Sequence, residues 1–139
     1  MAYTIRNIVE SDLELFEDLN TLYGALNDKR DVKMAFENDG HVNGYALIKI
    51  ISQMNEFKLG NIFLDFKTFD ESTKEAFIEF LDHQIKDNYV LKIITNIDEQ
   101  EFDKINFLKE IGFIDDQNAK KVEGFIPLKI TKPIFLERN

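Results

Sequence analysis

The turn Asn38-Asp39-Gly40, placed between two strand-like runs, is the feature that most constrains the fold of this chain. The runs are Val32 to Glu37 and Val42 to Met54. Asp-Gly accommodates the positive φ angles that two-residue hairpin turns need. A second turn at Asn55-Glu56 leads into another apolar run, Phe57 to Phe66. The sequence therefore predicts an antiparallel meander in the middle of the chain.

Helical spacing of apolar residues precedes and follows this meander. Ser11-Asp12-Leu13-Glu14 has the form of a capping box, which predicts the start of a helix. Apolar residues then recur at helical spacing up to Leu26, while Asn20 and Gly24 favour a division into two short helices. Ser72-Thr73-Lys74-Glu75 predicts a second capped helix, whose apolar stripe is Phe77, Ile78, Leu81 and Ile85.

The C-terminal part of the chain alternates again between strand and helix. The short β-branched run from Tyr89 to Thr95 predicts a strand buried on both faces. Asp98 and Glu101 are candidate caps of a further helix, and Gly112 is positioned to close it.

The order of these elements predicts a fold class. A first strand is expected at Tyr3 to Ile8, and the last strands at Ile111 to Ile114 and Val122 to Ile130. A chain of 139 residues is the size of one ordinary domain, so residues 1–139 are expected to form a single domain. We expect an α/β (α+β) protein with a mixed, mostly antiparallel central sheet of about seven strands and helices on both faces.

Composition narrows the classes of function. The formal net charge is -9, which disfavours binding to nucleic acid because phosphate backbones are repelled. The chain has no cysteine, so disulfides, thiolate nucleophiles and cysteine-ligated metals are excluded. Its two histidines are far apart, and no metal site is expected. The longest apolar run, Ala46 to Ile51, is far too short to span a membrane, and no signal peptide is recognised. A cytoplasmic protein without membrane contact is the expectation.

Two stretches resemble the GNAT superfamily of acetyl-CoA-dependent N-acetyltransferases. The first is Lys58-Leu59-Gly60-Asn61-Ile62-Phe63-Leu64-Asp65-Phe66 with the following Lys67 to Leu81, which is similar to the family's central strand, pyrophosphate loop and helix. The second is Phe107-Leu108-Lys109-Glu110-Ile111-Gly112-Phe113, which resembles the family's helix ending in a Tyr-x-x-x-Gly-Phe turn. Together with the element order, the likeness covers nearly the whole chain.

The resemblance implies where acetyl-CoA would bind. In the family the pantetheine arm lies along the exposed backbone of the central strand, which corresponds here to Leu64, Asp65 and Phe66. The next loop and helix N-terminus hold the diphosphate, because free amides and the helix dipole attract an anion. The residues that match this loop are Phe69, Asp70, Ser72, Thr73 and Lys74.

The loop departs from the family pattern Arg/Gln-x-x-Gly-x-Gly/Ala. Phe69 stands at the arginine position, and Asp70, Ser72 and Lys74 stand at the glycine positions. Asp70 would repel a diphosphate as well as complement the helix dipole itself. The sequence therefore predicts weaker binding of the cofactor than a glycine loop would give.

The family's catalytic positions are also substituted. Its tyrosine acid corresponds to Leu108, its asparagine to Glu101, and the acidic base of some members to Lys58. Leucine cannot transfer a proton, so the catalytic residues are left unassigned.

Five other side chains are candidate proton carriers: Tyr45, Asp65, Tyr89, His41 and His83. Each also has a purely structural interpretation. His41 lies in the hairpin turn, His83 on a helix surface, Tyr45 in a strand where it can pack, and Tyr89 at a strand start. Asp65 can equally be a polar group at the splayed strand or an ordinary outward residue.

Two hypotheses of function follow. In the first, the chain transfers an acetyl group from acetyl-CoA to a primary amine of a small molecule or protein, and catalysis depends mostly on positioning. In the second, it is a catalytically inactive binding or regulatory module of the GNAT fold that no longer uses acetyl-CoA. A third interpretation, an acidic interaction protein, lacks the long acidic block expected of one. The resemblance also implies a homodimer contact within Val122 to Leu136.

Overall fold

The computed structural model describes residues 3–138 and shows a seven-stranded sheet with helices on both faces. Its elements, in chain order, are β1 (Thr4–Asn7), a 3-10 turn (Glu10–Glu14), α1 (Leu19–Ala25), β2 (Val32–Asn38), β3 (His41–Met54), β4 (Phe57–Phe66), α2 (Glu71–Asp82) extended by a π-helical turn (His83–Asp87), β5 (Val90–Asp98), α3 (Phe102–Ile111), β6 (Ile114–Asp115), β7 (Phe125–Thr131) and α4 (Lys132–Arg138). None of the helices in residues 3–138 is both long and apolar enough to cross a membrane.

The sheet has the order β1-β2-β3-β4-β5-β7-β6. All neighbouring strands are antiparallel except β4 and β5, which are parallel. A parallel pair needs a crossover, and α2 supplies it. The predicted fold class, a mixed and mostly antiparallel sheet, is confirmed.

Both predicted turns of the meander are present. Asp39 and Gly40 have φ angles of 52° and 79°, so both central residues of the first hairpin are left-handed. Asn55 turns the second hairpin with a φ angle of 57°. The register places Gly44 opposite Phe66 and Tyr45 opposite Asp65.

The larger half of the core lies between the sheet and the helices α2 and α3. It is built around phenylalanine rings whose neighbouring centroids are 4.9–6.2 Å apart, which is the range of attractive aromatic contacts. The rings are those of Phe36, Phe66, Phe69, Phe77, Phe80 and Phe107. On the opposite face, the segment that contains the 3-10 turn and α1 buries Phe16, Leu19 and Leu26 against β3.

Aspartates, and not the predicted serines, cap the first turns. Within the 3-10 turn, the Asp12 carboxylate accepts from the amide of Val9, the residue before the turn, at 2.8 Å. Before α2, the Asp70 carboxylate accepts from the Thr73 amide at 2.9 Å. The capping boxes predicted at Ser11 and Ser72 are therefore wrong, since each serine lies inside its helical segment and a neighbouring carboxylate bonds the backbone instead.

Several element ends also differ from the prediction. Tyr89 has a φ angle of 57° and precedes β5, because it turns the chain out of the π-helical segment. Ile111 ends α3 and does not begin a strand, since Gly112 adopts a φ angle of 130° directly after it. Glu101 occupies the N-cap of α3 without a side-chain cap bond, because its carboxylate pairs with Lys104 at 3.0 Å.

The C-terminal end holds two further differences. The strand β7 begins at Phe125, three residues later than the predicted Val122. The helix α4 was not predicted, and its Pro133 lies in the first turn, where a missing amide costs no helical hydrogen bond.

Candidate functional site

The strands β4 and β5 separate halfway along their length. Their parallel ladder runs from the pair Lys58–Val90 to the pair Asn61–Ile94 and ends there. At the point of separation, the Thr95 hydroxyl donates to the Ile62 carbonyl at 2.8 Å. The C-terminal halves of the two strands therefore splay apart, while β5 stays paired with β7 on its other side.

The splay leaves main-chain groups of β4 without a strand partner. The Lys67 amide donates to the Asn43 carbonyl of β3 at 2.7 Å, so odd-numbered residues at this end of β4 turn their backbone groups towards β3. Backbone N–H and C=O groups alternate in direction along a strand, so those of Leu64 and Phe66 point towards the gap. An extended ligand or peptide could pair with such an edge.

A cleft lies in front of the gap, and we call it the splay cleft. Its inner part has a volume of about 180 Å³ and its outer part about 270 Å³, and the two parts share Glu101 and Lys104. Strand and helix ends from both faces of the sheet line the inner part: Asp18, Leu22, Tyr45, Ile62, Phe63, Leu64, Thr95, Asn96, Ile97, Asp98, Glu101, Lys104 and Phe125. The outer part is lined by Asp65, Phe69, Gln100, Glu101, Phe102, Asp103 and Lys104.

The splay cleft is acidic. Its lining contains five carboxylates, against the single ammonium group of Lys104. The carboxylates belong to Asp18, Asp65, Asp98, Glu101 and Asp103. Lys104 pairs with Glu101 at 3.0 Å and so offsets one of these charges. The remaining negative charge makes the cleft suited to a cation.

Tyr45 lies at the inner end of the splay cleft. Its side chain is only 4% exposed, and its ring packs edge-on against Phe16 with centroids 5.2 Å apart. Burial raises the pKa of the Tyr45 hydroxyl well above its usual range, and the charges of Asp65, Asp18 and Glu101 raise it further. The group is therefore a neutral phenol at physiological pH, in a cleft of carboxylates.

The first turn of α2 is closed by its own side chains. One oxygen of the Asp70 carboxylate accepts from both the amide and the hydroxyl of Thr73 at 2.9 Å. The Thr73 hydroxyl lies 3.1 Å from the Asn43 amide nitrogen, which also donates to the Thr68 carbonyl. The Thr73 amide holds the pKa of Asp70 below its usual range, so the carboxylate is charged and takes the place that an anion would occupy.

This first turn does not fit a diphosphate. The Thr73 amide is already bonded to a carboxylate, and Asp70 adds a negative charge where the diphosphate would lie. Lys74 faces Glu110 at 3.8 Å. The exposed edge at Leu64 and Phe66, in contrast, fits a neutral pantetheine arm, because it offers only main-chain groups. A groove of about 590 Å³ lies between the end of β4, the loop before α2 and one side of α3, and its lining is Phe66, Lys67, Thr68, Phe69, Asp103, Asn106, Phe107 and Glu110.

The five candidate proton carriers are not all in one place. Tyr45 and Asp65 are brought together as a cross-strand pair at the splay cleft. His83 is exposed on the helix surface and pairs with Asp87 at 2.8 Å, as expected for a surface histidine. His41 is exposed at the hairpin, and Tyr89 packs on Phe57 away from the cleft.

The three residues that match the family's catalytic positions also lie in different parts of the fold. Glu101 lines the splay cleft, whereas Leu108 is fully buried in the core and Lys58 lies at the paired end of β4. Sequence reasoning missed Asp18, Asp103 and Lys104, which complete the cleft. No local pattern marks any of them, because the loop after the 3-10 turn and the helix α3 meet only in the folded chain.

Scans of family models and of curated proteins found no match to this chain. Solved structures do match. The spermidine N-acetyltransferase of Vibrio cholerae, in complex with CoA and spermine, has a TM-score of 0.72 at 12% identity, over 96% of this chain and 98% of that chain. The N-acetyltransferase PseH of Campylobacter jejuni has a TM-score of 0.65 at 10% identity, over 95% and 99% of the two chains. An uncharacterised protein of Bacillus halodurans has a TM-score of 0.75 at 14% identity, over 98% and 87%. At such identities the likeness shows the fold: this chain has the fold of the GNAT N-acetyltransferases.

Proposed function

From the GNAT fold of this chain and the acidic cleft at its strand splay, we propose an N-acetyltransferase that acts on a cationic primary amine. The observation that carries the proposal is the position of the carboxylates. They surround the gap between β4 and β5, where the exposed edge of β4 would place an acyl group. An acceptor amine held by these carboxylates would lie next to that edge.

The side chains of the cleft could both bind the amine and help to activate it. An ammonium group has three N–H groups, and the carboxylates of Asp18, Asp65 and Glu101 can accept hydrogen bonds from them. An amine attacks only after it has lost a proton, and Asp65 is a half-buried carboxylate beside the exposed edge. We assign Asp65 the role of holding that proton. Positioning of the acceptor would supply the rest of the catalysis.

The solved relatives support this class of reaction. One is a spermidine N-acetyltransferase solved with CoA and spermine, and another is described as a putative phosphinothricin N-acetyltransferase. The acyl donor of this chain would be acetyl-CoA, held by the edge at Leu64 and Phe66. Because the first turn of α2 does not fit the diphosphate, we expect weak binding of the donor.

A second function is favoured by one observation. The hydrogen bonds of Asp70, Thr73 and Asn43 close the position where the family binds a diphosphate. A chain that keeps the acidic cleft but no longer takes the donor would be a catalytically inactive GNAT-fold module that binds a cationic amine.

The experiment measures acetyl transfer from radiolabelled acetyl-CoA, at millimolar concentration, to a panel of mono-, di- and polyamines. We expect transfer to at least one cationic amine and a loss of about tenfold or more in Asp65→Asn, as for a removed acid–base group. Asp87→Asn is the matched control, since Asp87 is an exposed carboxylate outside the cleft. No transfer to any amine, with no change in thermal unfolding on addition of acetyl-CoA, would exclude the enzyme and leave the binding module.

A further inference from the structure

We propose that the Tyr45 hydroxyl contacts the acceptor directly and makes the splay cleft select a primary ammonium group over a quaternary one. This inference rests on the proposed function, in that it assumes a cationic amine in the cleft. It adds a residue and a chemical preference that neither the fold nor the carboxylates require.

The first step is that the Tyr45 hydroxyl has no hydrogen-bond partner among residues 3–138. Within this part of the chain, every side-chain nitrogen or oxygen that is closed off from solvent has a partner. The Tyr45 oxygen must therefore touch open space, although the residue is only 4% exposed. The open space beside it is the inner part of the splay cleft.

The second step is that Tyr45 is held in place by packing. Its ring meets Phe16 edge-on at 5.2 Å, and the strand β3 fixes its backbone opposite Asp65. A hydroxyl that loses its contact with solvent without gaining a partner costs free energy, so a ligand that fills the cleft is favoured when it supplies a donor to the Tyr45 oxygen. The Tyr45 oxygen is therefore already in place to bond a ligand that enters the splay cleft.

The third step concerns the charge of that ligand. The carboxylates that act on Tyr45 are Asp65 on the neighbouring strand, Asp18 before α1 and Glu101 at the start of α3. They favour a cation, and a neutral phenol oxygen accepts hydrogen bonds from its N–H groups. A primary ammonium can satisfy the phenol and the carboxylates together. A quaternary ammonium has no N–H group and would gain from the charge alone.

The experiment is a calorimetric titration of the full chain, without any acyl donor, with n-butylammonium and with tetramethylammonium at equal ionic strength. We expect butylammonium to bind more tightly to the wild type. Tyr45→Phe keeps the ring on Phe16, and we expect it to weaken butylammonium about tenfold while tetramethylammonium changes little. Tyr89→Phe removes the same hydroxyl from an exposed ring outside the cleft and should change neither affinity.

A second measurement needs no variant. The ¹³C resonance of the Tyr45 phenol carbon should shift on titration of the wild type with butylammonium, and less with tetramethylammonium. Equal losses for both cations in Tyr45→Phe would overturn the role of Tyr45 and leave the enzyme intact. The same conclusion would follow from no loss of affinity together with no shift of the resonance. It would also follow if a water molecule, and not the ammonium group, bonded the Tyr45 hydroxyl. Binding that depends on Tyr45 without acetyl transfer would overturn the enzyme and leave this inference. Failure of both cations to bind would overturn this inference, whereas the acetyl-transfer assay decides the enzyme separately.

Discussion

At the scale of single residues, Gly44 shows how one missing side chain shapes the site. It lies on β3 opposite Phe66, and a Cβ atom there would collide with the Phe66 ring and with the Asp65 carbonyl. The ring is buried among the phenylalanines of the core, so it cannot move away without disturbing them. The glycine therefore lets β4 pair closely with β3 beside the splay.

We expect Gly44→Ala to lower the free energy of unfolding by about 1–3 kcal/mol, as overpacking of a close-packed core does. Urea unfolding followed by circular dichroism measures the change. Gly24→Ala is the control, because nothing lies within 4 Å of its Cβ position in α1. That change should stabilise the chain by about 0.5–1 kcal/mol, and equal effects of the two substitutions would contradict the packing argument.

Asp70 is expected to affect both the stability of α2, as its N-cap, and the binding of acetyl-CoA, through its charge. We expect Asp70→Ala to cost about 1 kcal/mol of stability through loss of the N-cap, and to bind acetyl-CoA more tightly than the wild type because a charge is removed and the Thr73 amide is freed. Thermal unfolding with and without acetyl-CoA measures both effects. Asp70→Asn keeps a capping side chain and tests the charge alone. A wild type that binds acetyl-CoA as well as both variants would refute the conclusion that the carboxylate blocks the donor.

At the scale of elements, one ion-pair network attaches the 3-10 turn to the sheet. Arg6 of β1 donates to the two oxygens of Asp12 at 2.7 and 3.0 Å and to Glu37 of β2 at 3.2 Å. Asp12 also accepts from the Val9 amide. This network fixes the start of the segment that carries Phe16 and Asp18 to the splay cleft.

Asp12 makes the stability of this contact depend on pH. The hydrogen bond from Arg6 holds the pKa of Asp12 below its usual range. A carboxylate with a lowered folded-state pKa contributes stability above its unfolded pKa of about 4, and loses it as the pH falls through the folded value. We expect Asp12→Asn to be less stable than the wild type by about 1–3 kcal/mol between pH 5 and 8, and the difference to shrink below about pH 4. Urea unfolding over this range measures it, and a constant difference would contradict the assignment.

At the scale of the whole molecule, the edge formed by β6 and β7 is the place to look for self-association. The exposed apolar residues near it are Ile114, Val122 and Phe125, and the last two line a groove of about 410 Å³. The homodimer implied by the family resemblance stays a prediction. Sedimentation velocity should detect a dimer that Val122→Asp weakens, whereas Met54→Asp, at an exposed residue of the β3–β4 hairpin, should leave it unchanged. A wild type that sediments as a monomer at all concentrations would contradict it.

The sequence by itself determined the parts of the fold that depend on local pattern. Asp39-Gly40 and Asn55 fixed the hairpins, because left-handed turns need such residues, and the apolar spacing from Phe77 to Ile85 fixed α2. The caps were predicted less well, because serine and aspartate are both common N-cap residues, and only the folded turn shows that α2 begins after Asp70, whose carboxylate bonds the Thr73 amide.

Only the tertiary structure decided the candidate site. Tyr45, Asp65, Asp18 and Glu101 come from four separate segments, and no pattern in the sequence connects them. They meet because β5 separates from β4 after Asn61. Beyond that point β4 stays paired with β3, and β5 stays paired with β7. Local propensity decides which residues form strands, but the packing of strands against each other decides which side chains share a cleft.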